Sequence, residues 1–317
     1  MQRARYRNAL PQLGGGLFLT DGGIETTLIF HERLALPDFA AFPLLATTEG
    51  EAALRRYFLT YAALAARHDA DLILESATWR ASADWGARLG YGREALAEAN
   101  RRAICLLEGI RDRHAGRGRK AVISGAIGPR GDGYRPDRLM SELEAESYHR
   151  EQIETFAGTE ADMVCAITMN YAAEAVGVAR AAERARMPVA ISFTVETDGR
   201  LPTGETLADA VAQVDRATSG YPAYYMLNCA HPDHFEAVLT KREPFTERIR
   251  GIRANASRMS HAELNESPTL DIGDPAELGR QYADLKRRLP QLNVLGGCCG
   301  TDHRHVERIA EACAPLF

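Results

Sequence analysis

Short apolar runs recur along the chain and alternate with longer segments of helical character. Continuous apolar runs are typical of strands that are buried on both faces of a parallel sheet. The segments between them are rich in alanine, glutamate and arginine, as in residues 51–67 and 93–111, and suit amphipathic helices. The eight apolar runs are residues 17–19, 72–74, 121–123, 163–165, 189–193, 223–227, 249–252 and 292–295.

This alternation predicts an α/β protein. Eight strand–helix units in 317 residues favour a single (β/α)8 TIM barrel, with a doubly wound open sheet as the alternative. No low-complexity linker divides the chain, so we predict one domain over residues 1–317. Residues 1–13 can form a flexible tail within that domain.

Polar and sulfur-bearing residues follow the predicted strands. The active site of a TIM barrel forms at the C-terminal ends of its strands, so residues far apart in sequence are expected to meet on one rim. In strand order these residues are Asp21, Glu75, Gly125, Thr168 with Asn170, Glu196, Cys229, Asn255, and Cys298 with Cys299.

Composition and charge argue against several classes of partner. A formal net charge of −5 gives no electrostatic reason to expect nucleic acid or an anionic membrane. The apolar runs are too short to span a membrane, and no secretory signal follows Met1. The six cysteines therefore fit reduced thiols and metal binding in the cytoplasm better than a disulfide scaffold.

Three cysteines lie where the sixth and eighth predicted strands end. Cys298 and Cys299 are adjacent, so both can face one metal only from a distorted backbone, which their flanking glycines permit. Catalytic zinc typically keeps three protein ligands and one open position, and three sulfurs at such a site suit a thiol substrate. We therefore predict that Cys229, Cys298 and Cys299 bind Zn²⁺ and that the metal activates a thiol.

These residues resemble the homocysteine S-methyltransferase family, which includes betaine- and S-methylmethionine-dependent enzymes and the homocysteine-binding module of methionine synthase. The similar motifs are Gly-Gly-Cys-Cys-Gly from Gly296 to Gly300, Asn228-Cys229, and Asp-Gly-Gly from Asp21 to Gly23. The resemblance implies a TIM barrel with Zn²⁺ as cofactor. It also implies methyl transfer from a small sulfonium or ammonium donor to the thiol of homocysteine, giving methionine. No side chain beyond the zinc site has a catalytic role in this scheme.

The resemblance also assigns substrate-binding residues on the rim. It implies that Asp21 binds the amino group of homocysteine, and that Gly22 and Gly23 permit a close approach to the backbone. Asn255 lies in a stretch, residues 254–256, that is similar to the family, and Thr168 follows the fourth predicted strand. We include both as candidate substrate-binding residues.

The sequence departs from the family at the fourth strand. Ile167 occupies the position of an acidic residue that also holds the amino group in the family. We predict that Glu75, at the end of the second strand, supplies the missing carboxylate. Otherwise the acceptor is a different thiol.

Two other functional classes stay open at this point. A zinc hydrolase on the same barrel usually has histidine and carboxylate ligands, and no His-x-His motif follows the first strand here. A non-catalytic zinc- or thiol-binding relative is the other class. The sequence does not choose among S-methylmethionine, S-adenosylmethionine and betaine as the donor, and it leaves the oligomeric state open.

Overall fold

Eight parallel strands close into a barrel in the order of the sequence. The computed structural model describes residues 4–114, 118–241, 243–266 and 269–317. The strands are β1 (Phe18–Leu19), β2 (Asp71–Glu75), β3 (Ala121–Ile127), β4 (Met163–Met169), β5 (Val189–Phe193), β6 (Tyr224–Asn228), β7 (Ile249–Ala254) and β8 (Val294–Gly297). Because β1 pairs with both β2 and β8, the sheet has no free edge. The predicted TIM barrel is confirmed, and the open sheet is excluded.

Helices connect the strands and cover the outside of the barrel. They are α1 (Ile24–Thr26), α2 (Thr48–Arg67), α3 (Ala83–Arg88), α4 (Arg93–His114), α5 (Glu142–Ala157), α6 (Ala172–Arg184), α7 (Leu207–Thr218), α8 (Pro232–Leu239), α9 (His261–Glu266), α10 (Pro275–Arg288) and α11 (His303–Cys313). Local sequence sets their starts: Ser141 and Glu144 form a reciprocal capping box at α5, and Asp274 caps α10 just before Pro275. No helix in the described ranges combines the length and apolar character that crossing a bilayer requires.

Apolar side chains fill the barrel in two separate clusters. A large cluster lies between the sheet and the helices, and a smaller one fills the barrel interior. The interior cluster includes Phe18, Ile73, Val122 and Tyr224, each at most 2% exposed. Because the lower half of the barrel is packed in this way, the upper rim is left for polar and sulfur-bearing side chains.

The N-terminal segment packs against the bottom of the barrel. The Arg7 guanidinium donates hydrogen bonds to the carbonyls of Ala157, Thr159 and Ala161. The Gln12 side chain is buried and contacts Met163, with its Nε2 3.2 Å from the sulfur. Residues 7–12 are therefore part of the folded domain, which differs from the flexible tail predicted for residues 1–13. Residues 1–3 lie outside the described ranges.

Candidate active site

The three predicted zinc ligands lie together at the C-terminal rim. Cys229 directly follows β6, and Cys298 and Cys299 directly follow β8. Their sulfur atoms all lie within 4.8 Å of one another, and we call this group the sulfur cluster. The sulfurs of Cys229 and Cys298 are in direct contact, and Cys299 is a free cysteine beside them. The structure thus brings together the three cysteines that were predicted to bind zinc.

The sulfur cluster fits zinc when its three cysteines are reduced. Zinc–sulfur bonds of about 2.3 Å in a tetrahedral site hold sulfurs about 3.8 Å apart, and the cluster accommodates this spacing. Only thiolates bind the metal, so oxidation of any two of these cysteines would exclude zinc. Burial raises the pKa of Cys299 to about 11, and the Glu25 charge adds to this effect. The Cys299 thiol is therefore protonated at neutral pH unless a cation stabilises its thiolate.

Every sulfur of the cluster has a polar neighbour. The heavy-atom distances are each 3.9 Å, and the pairs are Thr168 Oγ1 with Cys229, Asn228 Nδ2 with Cys298, and Tyr134 Oη with Cys299. Hydrogen-bond donors around metal ligands orient those ligands and adjust their charge. The rim therefore provides a second layer of contacts around the predicted metal site.

Thr168 and Cys229, which contact each other at the rim, both adopt left-handed backbone conformations. Thr168 has φ of 65° and Cys229 has φ of 54°, which is uncommon for residues other than glycine and costs free energy. Asn228 supports this arrangement, because its Oδ1 accepts from the Thr168 N–H at 2.9 Å and its Nδ2 donates to Thr168 Oγ1 at 2.8 Å. Thr168, a predicted substrate-binding residue, therefore also helps to position the sulfur cluster.

Asn255 and His261 both hold the carbonyl of Cys229. Asn255 Nδ2 donates to that oxygen at 3.0 Å, and His261 Nε2 lies 2.5 Å from it. The other ring nitrogen of His261 is 3.0 Å from Glu196 Oε1, and its ring stacks on Tyr134 with centroids 4.0 Å apart. His261 was not predicted from the sequence, because no motif marks it and only folding brings α9 to this rim.

Gly22 and Gly23 allow the first loop to pack tightly against its neighbours. A Cβ atom at Gly22 would lie 2.7 Å from Tyr61 Oη and 2.9 Å from the Thr301 carbonyl. At Gly23 it would lie 2.6 Å from the Cys298 carbonyl. These two glycines were predicted to let a substrate approach the backbone closely. In the structure, other residues of the protein occupy that space.

Gly297 is expected to tolerate no side chain, because a Cβ there would lie 2.0 Å from Thr301 Oγ1. That hydroxyl donates to the Cys298 carbonyl at 2.7 Å, so moving it disturbs a predicted zinc ligand. We expect Gly297→Ala to destabilise the protein by about 1–3 kcal/mol and to lower its zinc content. Urea unfolding and metal analysis measure the two effects. Gly92→Ala is the control, because a Cβ there meets nothing within 4 Å, and equal behaviour of both variants would contradict this reasoning.

Asp21 and Glu75 share a buried arginine that the sequence analysis did not identify. Arg253 contacts Asp21 Oδ1 through Nη2 at 2.5 Å and contacts Glu75 Oε2 through Nη1. Its Nε donates to the Gly297 carbonyl at 3.1 Å, and the Tyr57 hydroxyl donates to Asp21 Oδ2 at 2.9 Å. We call Asp21, Glu75 and Arg253 the buried charge triad. Each member is 5–6% exposed.

Burial and charge pairing compete in this triad. Burial raises the pKa values of Asp21 and Glu75, and the Arg253 guanidinium opposes that rise. Burial alone lowers the pKa of Arg253, but the two carboxylates outweigh it and the net pKa is raised. Glu75, which was predicted to replace the acidic residue missing at Ile167, is thus already engaged by a cation. A charged residue inside a buried strand requires such a partner, but the seventh strand was predicted to end at residue 252, whereas β7 continues to Ala254 and contains Arg253.

Two cavities meet at the sulfur cluster. The inner cavity, of about 180 Å³, is lined by all three cysteines, the buried charge triad and Ile167. The outer cavity, of about 240 Å³, is lined by Asn255, His261 and Asp271 among others. Phe39, Tyr134 and Cys299 belong to both walls. A small molecule in either cavity would therefore contact the same sulfur.

Comparison with known proteins agrees with this architecture. The sequence model of the homocysteine S-methyltransferase family matches residues 18–313. The homocysteine methyltransferase MmuM from Escherichia coli is similar in structure. Its metallated form has a TM-score of 0.74 at 19% identity, with 95% of this chain and 98% of that chain covered. Its oxidized form has a TM-score of 0.76 at 20% identity, with 97% and 99% covered. At such identities the structural likeness shows the fold alone.

The family match spans nearly the whole barrel and includes every motif of the rim. It covers Asp21 after β1, Cys229 after β6, and Cys298 with Cys299 after β8. The chain therefore belongs to the homocysteine S-methyltransferase family and is a thiol methyltransferase.

Proposed function

We propose that this chain transfers a methyl group from a small sulfonium or ammonium donor to the thiol of homocysteine, with Zn²⁺ bound by Cys229, Cys298 and Cys299. The observation that carries the proposal is the pair of cavities that meet at the sulfur cluster. Transfer between two small molecules requires two pockets with a common border, and Cys299 and Tyr134 line both. The metallated form of the similar Escherichia coli homocysteine methyltransferase supports the choice of a metal-bound state.

The chemistry needs an ionised acceptor and an aligned donor. A free thiol has a pKa near 8.5, and zinc on the three cysteines would deprotonate a fourth thiol outright. The acceptor sulfur then forms a bond to the methyl carbon while the bond from that carbon to the donor heteroatom breaks. The electron pair stays on the heteroatom, so a cationic donor leaves as a neutral group. The contribution of the protein is alignment, which can supply a large part of the rate.

The linings of the two cavities differ in a way that suits the two substrates. The inner cavity carries several ionisable side chains beside the sulfurs and is assigned to the acceptor. The outer cavity has a single carboxylate among its described lining residues, Asp271, together with Phe30, and it shares Phe39 and Tyr134 with the inner cavity. Aromatic faces and a carboxylate favour a sulfonium or ammonium group, so this cavity is assigned to the donor.

The proposal predicts methionine formation by reduced, zinc-loaded protein. Homocysteine is incubated with S-methylmethionine, S-adenosylmethionine or betaine, and methionine is followed by mass spectrometry. We expect product with at least one donor, loss of product on chelation, and recovery when zinc is returned.

Each contrary outcome points to a different alternative. Full activity in thoroughly metal-free protein would rule out the zinc mechanism. Methylation of another thiol but not of homocysteine would overturn the acceptor assignment. Absence of transfer to every thiol would favour a non-catalytic zinc- or thiol-binding relative.

A further inference from the structure

Among the described residues that line the inner cavity, one carboxylate has no hydrogen bond or ion pair with any other residue. Glu25, in α1, lines this cavity and, within the described part of the chain, forms no ion pair and no side-chain hydrogen bond. Its contact is with its own backbone N–H. Burial raises the pKa of Glu25 to about 7 and the Asp21 charge adds to this, while Arg253 and Arg80 oppose it. A bound cation would relieve the unfavourable burial of this carboxylate.

The two fully buried carboxylates of this wall, Asp21 and Glu75, are already occupied. Asp21 accepts from Arg253 on one oxygen and from the Tyr57 hydroxyl on the other. Glu75 accepts from Arg253 on one oxygen, and the Ser124 hydroxyl lies 3.4 Å from the other. An incoming ammonium would have to compete with a guanidinium at either residue. Glu25 offers its carboxylate without such competition.

Arg80 provides a cation on the same cavity wall. Its guanidinium stacks between two rings, 4.1 Å from the Trp79 centroid and 3.5 Å from the Trp85 centroid. Nη1 donates to the Gly131 carbonyl at 3.0 Å, but the buried Nε has no hydrogen-bond partner among the described residues. The residue is only 6% exposed. Burial lowers the pKa of Arg80 to about 10, so it stays charged at neutral pH.

Glu25 and Arg80 face one cavity without neutralising each other. Each charge shifts the pKa of the other group. However, no carboxylate oxygen of Glu25 lies within 4.0 Å of a guanidinium nitrogen of Arg80, which is the distance limit for an ion pair. Glu25 also influences Cys299, so it lies near the sulfur cluster. An α-amino acid carries an ammonium and a carboxylate on one carbon. A cavity with separated opposite charges beside the sulfurs suits an amino acid whose side chain ends in a thiol.

We propose that Glu25 and Arg80 bind the amino-acid end of the acceptor, with Glu25 accepting from its ammonium and Arg80 donating to its carboxylate. This inference rests on the proposed function and names the groups that select its acceptor. Glu25 then has the role that the acidic residue missing at Ile167 plays elsewhere in the family. The buried charge triad forms the wall behind it.

The test compares three ligands on zinc-loaded protein by calorimetry. They are homocysteine, γ-mercaptobutyrate, which lacks the amino group, and aminopropanethiol, which lacks the carboxylate. For Glu25→Gln we expect at least about 30-fold weaker binding of homocysteine and little change for γ-mercaptobutyrate, since a buried charge has lost its partner. For Arg80→Gln we expect a similar loss for homocysteine and little change for aminopropanethiol.

Matched controls separate charge recognition from general damage. Glu32→Gln removes a carboxylate that pairs with Arg56 on the surface, and Arg88→Gln removes an exposed guanidinium that also stacks on Trp85. Both controls should bind homocysteine normally. Retained binding of γ-mercaptobutyrate and retained zinc show that Glu25→Gln is folded, and Glu25→Asp serves as a milder second variant.

Two results would overturn the inference. One is unchanged homocysteine affinity in Glu25→Gln together with a large loss in Asp21→Asn, which would assign the ammonium to the triad. The other is wild-type protein that binds γ-mercaptobutyrate as tightly as homocysteine, since no ammonium would then be recognised. Methyl transfer by the wild type is measured separately. Failure of transfer with the expected binding pattern counts against the proposed function and not against these contacts.

Discussion

Replacing Cys298 with alanine is expected to remove zinc from the reduced protein and to lower methyl transfer by at least about three orders of magnitude. The sulfur cluster has three sulfurs within 4.8 Å, and the loss of one leaves too few ligands for a catalytic zinc site. Activation by a metal ion is worth several kcal/mol, and each 1.36 kcal/mol is about tenfold in rate. Metal analysis should show about one zinc per chain in the wild type and almost none in the variant.

The control for this experiment is Cys105→Ala. Cys105 is an exposed free cysteine on α4, so its loss removes a thiol without touching the rim. We expect normal zinc content and normal transfer. The protein must be reduced before zinc is added, because only thiolates bind the metal. Unchanged zinc in reduced Cys298→Ala would disprove the assignment of the metal site.

Removal of Arg253 is expected to cause the largest loss of stability among single changes at the rim. Arg253→Met leaves Asp21 and Glu75 buried without their cation, and breaking a buried ion pair from one side costs about 3–5 kcal/mol. The loss should depend on pH. Without Arg253 the pKa values of both carboxyl groups rise further above the unfolded values of about 4. The folded variant then binds more protons than its unfolded chain, so its stability falls as the pH increases above about 4.

Urea unfolding at pH 5 and pH 8 measures this effect. The destabilisation of Arg253→Met relative to wild type should be smaller at pH 5, where the carboxyl groups are more readily protonated. Arg258→Gln is the control, because Arg258 is exposed and pairs with Asp233 and Glu277 at the surface. Such pairs contribute about 0–1 kcal/mol, so little change is expected at either pH. Equal destabilisation of both variants would contradict the role of the buried charge triad.

The apolar pattern was sufficient to predict the fold, but it placed the strand ends less well. Each of the eight runs overlaps a strand of the barrel. The third and fourth runs were predicted to end at residues 123 and 165, whereas β3 and β4 continue to Ile127 and Met169. The parts of β3 and β4 that were not predicted contain polar or small residues such as Ser124, Gly125 and Thr168. Strand ends at a TIM-barrel rim carry functional side chains, and these interrupt the apolar pattern that identifies a strand.

The candidate site was predictable only where a motif marked it. The three cysteines form a cluster as expected, because glycines and strand ends indicated their position. Arg253, Glu25 and Arg80 were missed, since each is a single charged residue with no recognisable spacing. Their importance arises from their position: a charged group that is largely removed from water requires a partner, and the partners come from other strands and loops. Such pairings depend on three-dimensional packing that one sequence does not contain.

Closure of the barrel has a consequence for folding. Cys298 and Cys299 follow β8, which is the last strand of the chain and bridges β7 and β1. The third ligand, Cys229, follows β6, so the complete set of ligands exists only when the last strand has been inserted beside the first. If zinc binds the native state but not the unfolded chain, it stabilises the closed barrel by mass action. Metal uptake during refolding would therefore report the joining of the two ends of the sheet, a long-range contact that is expected to form slowly.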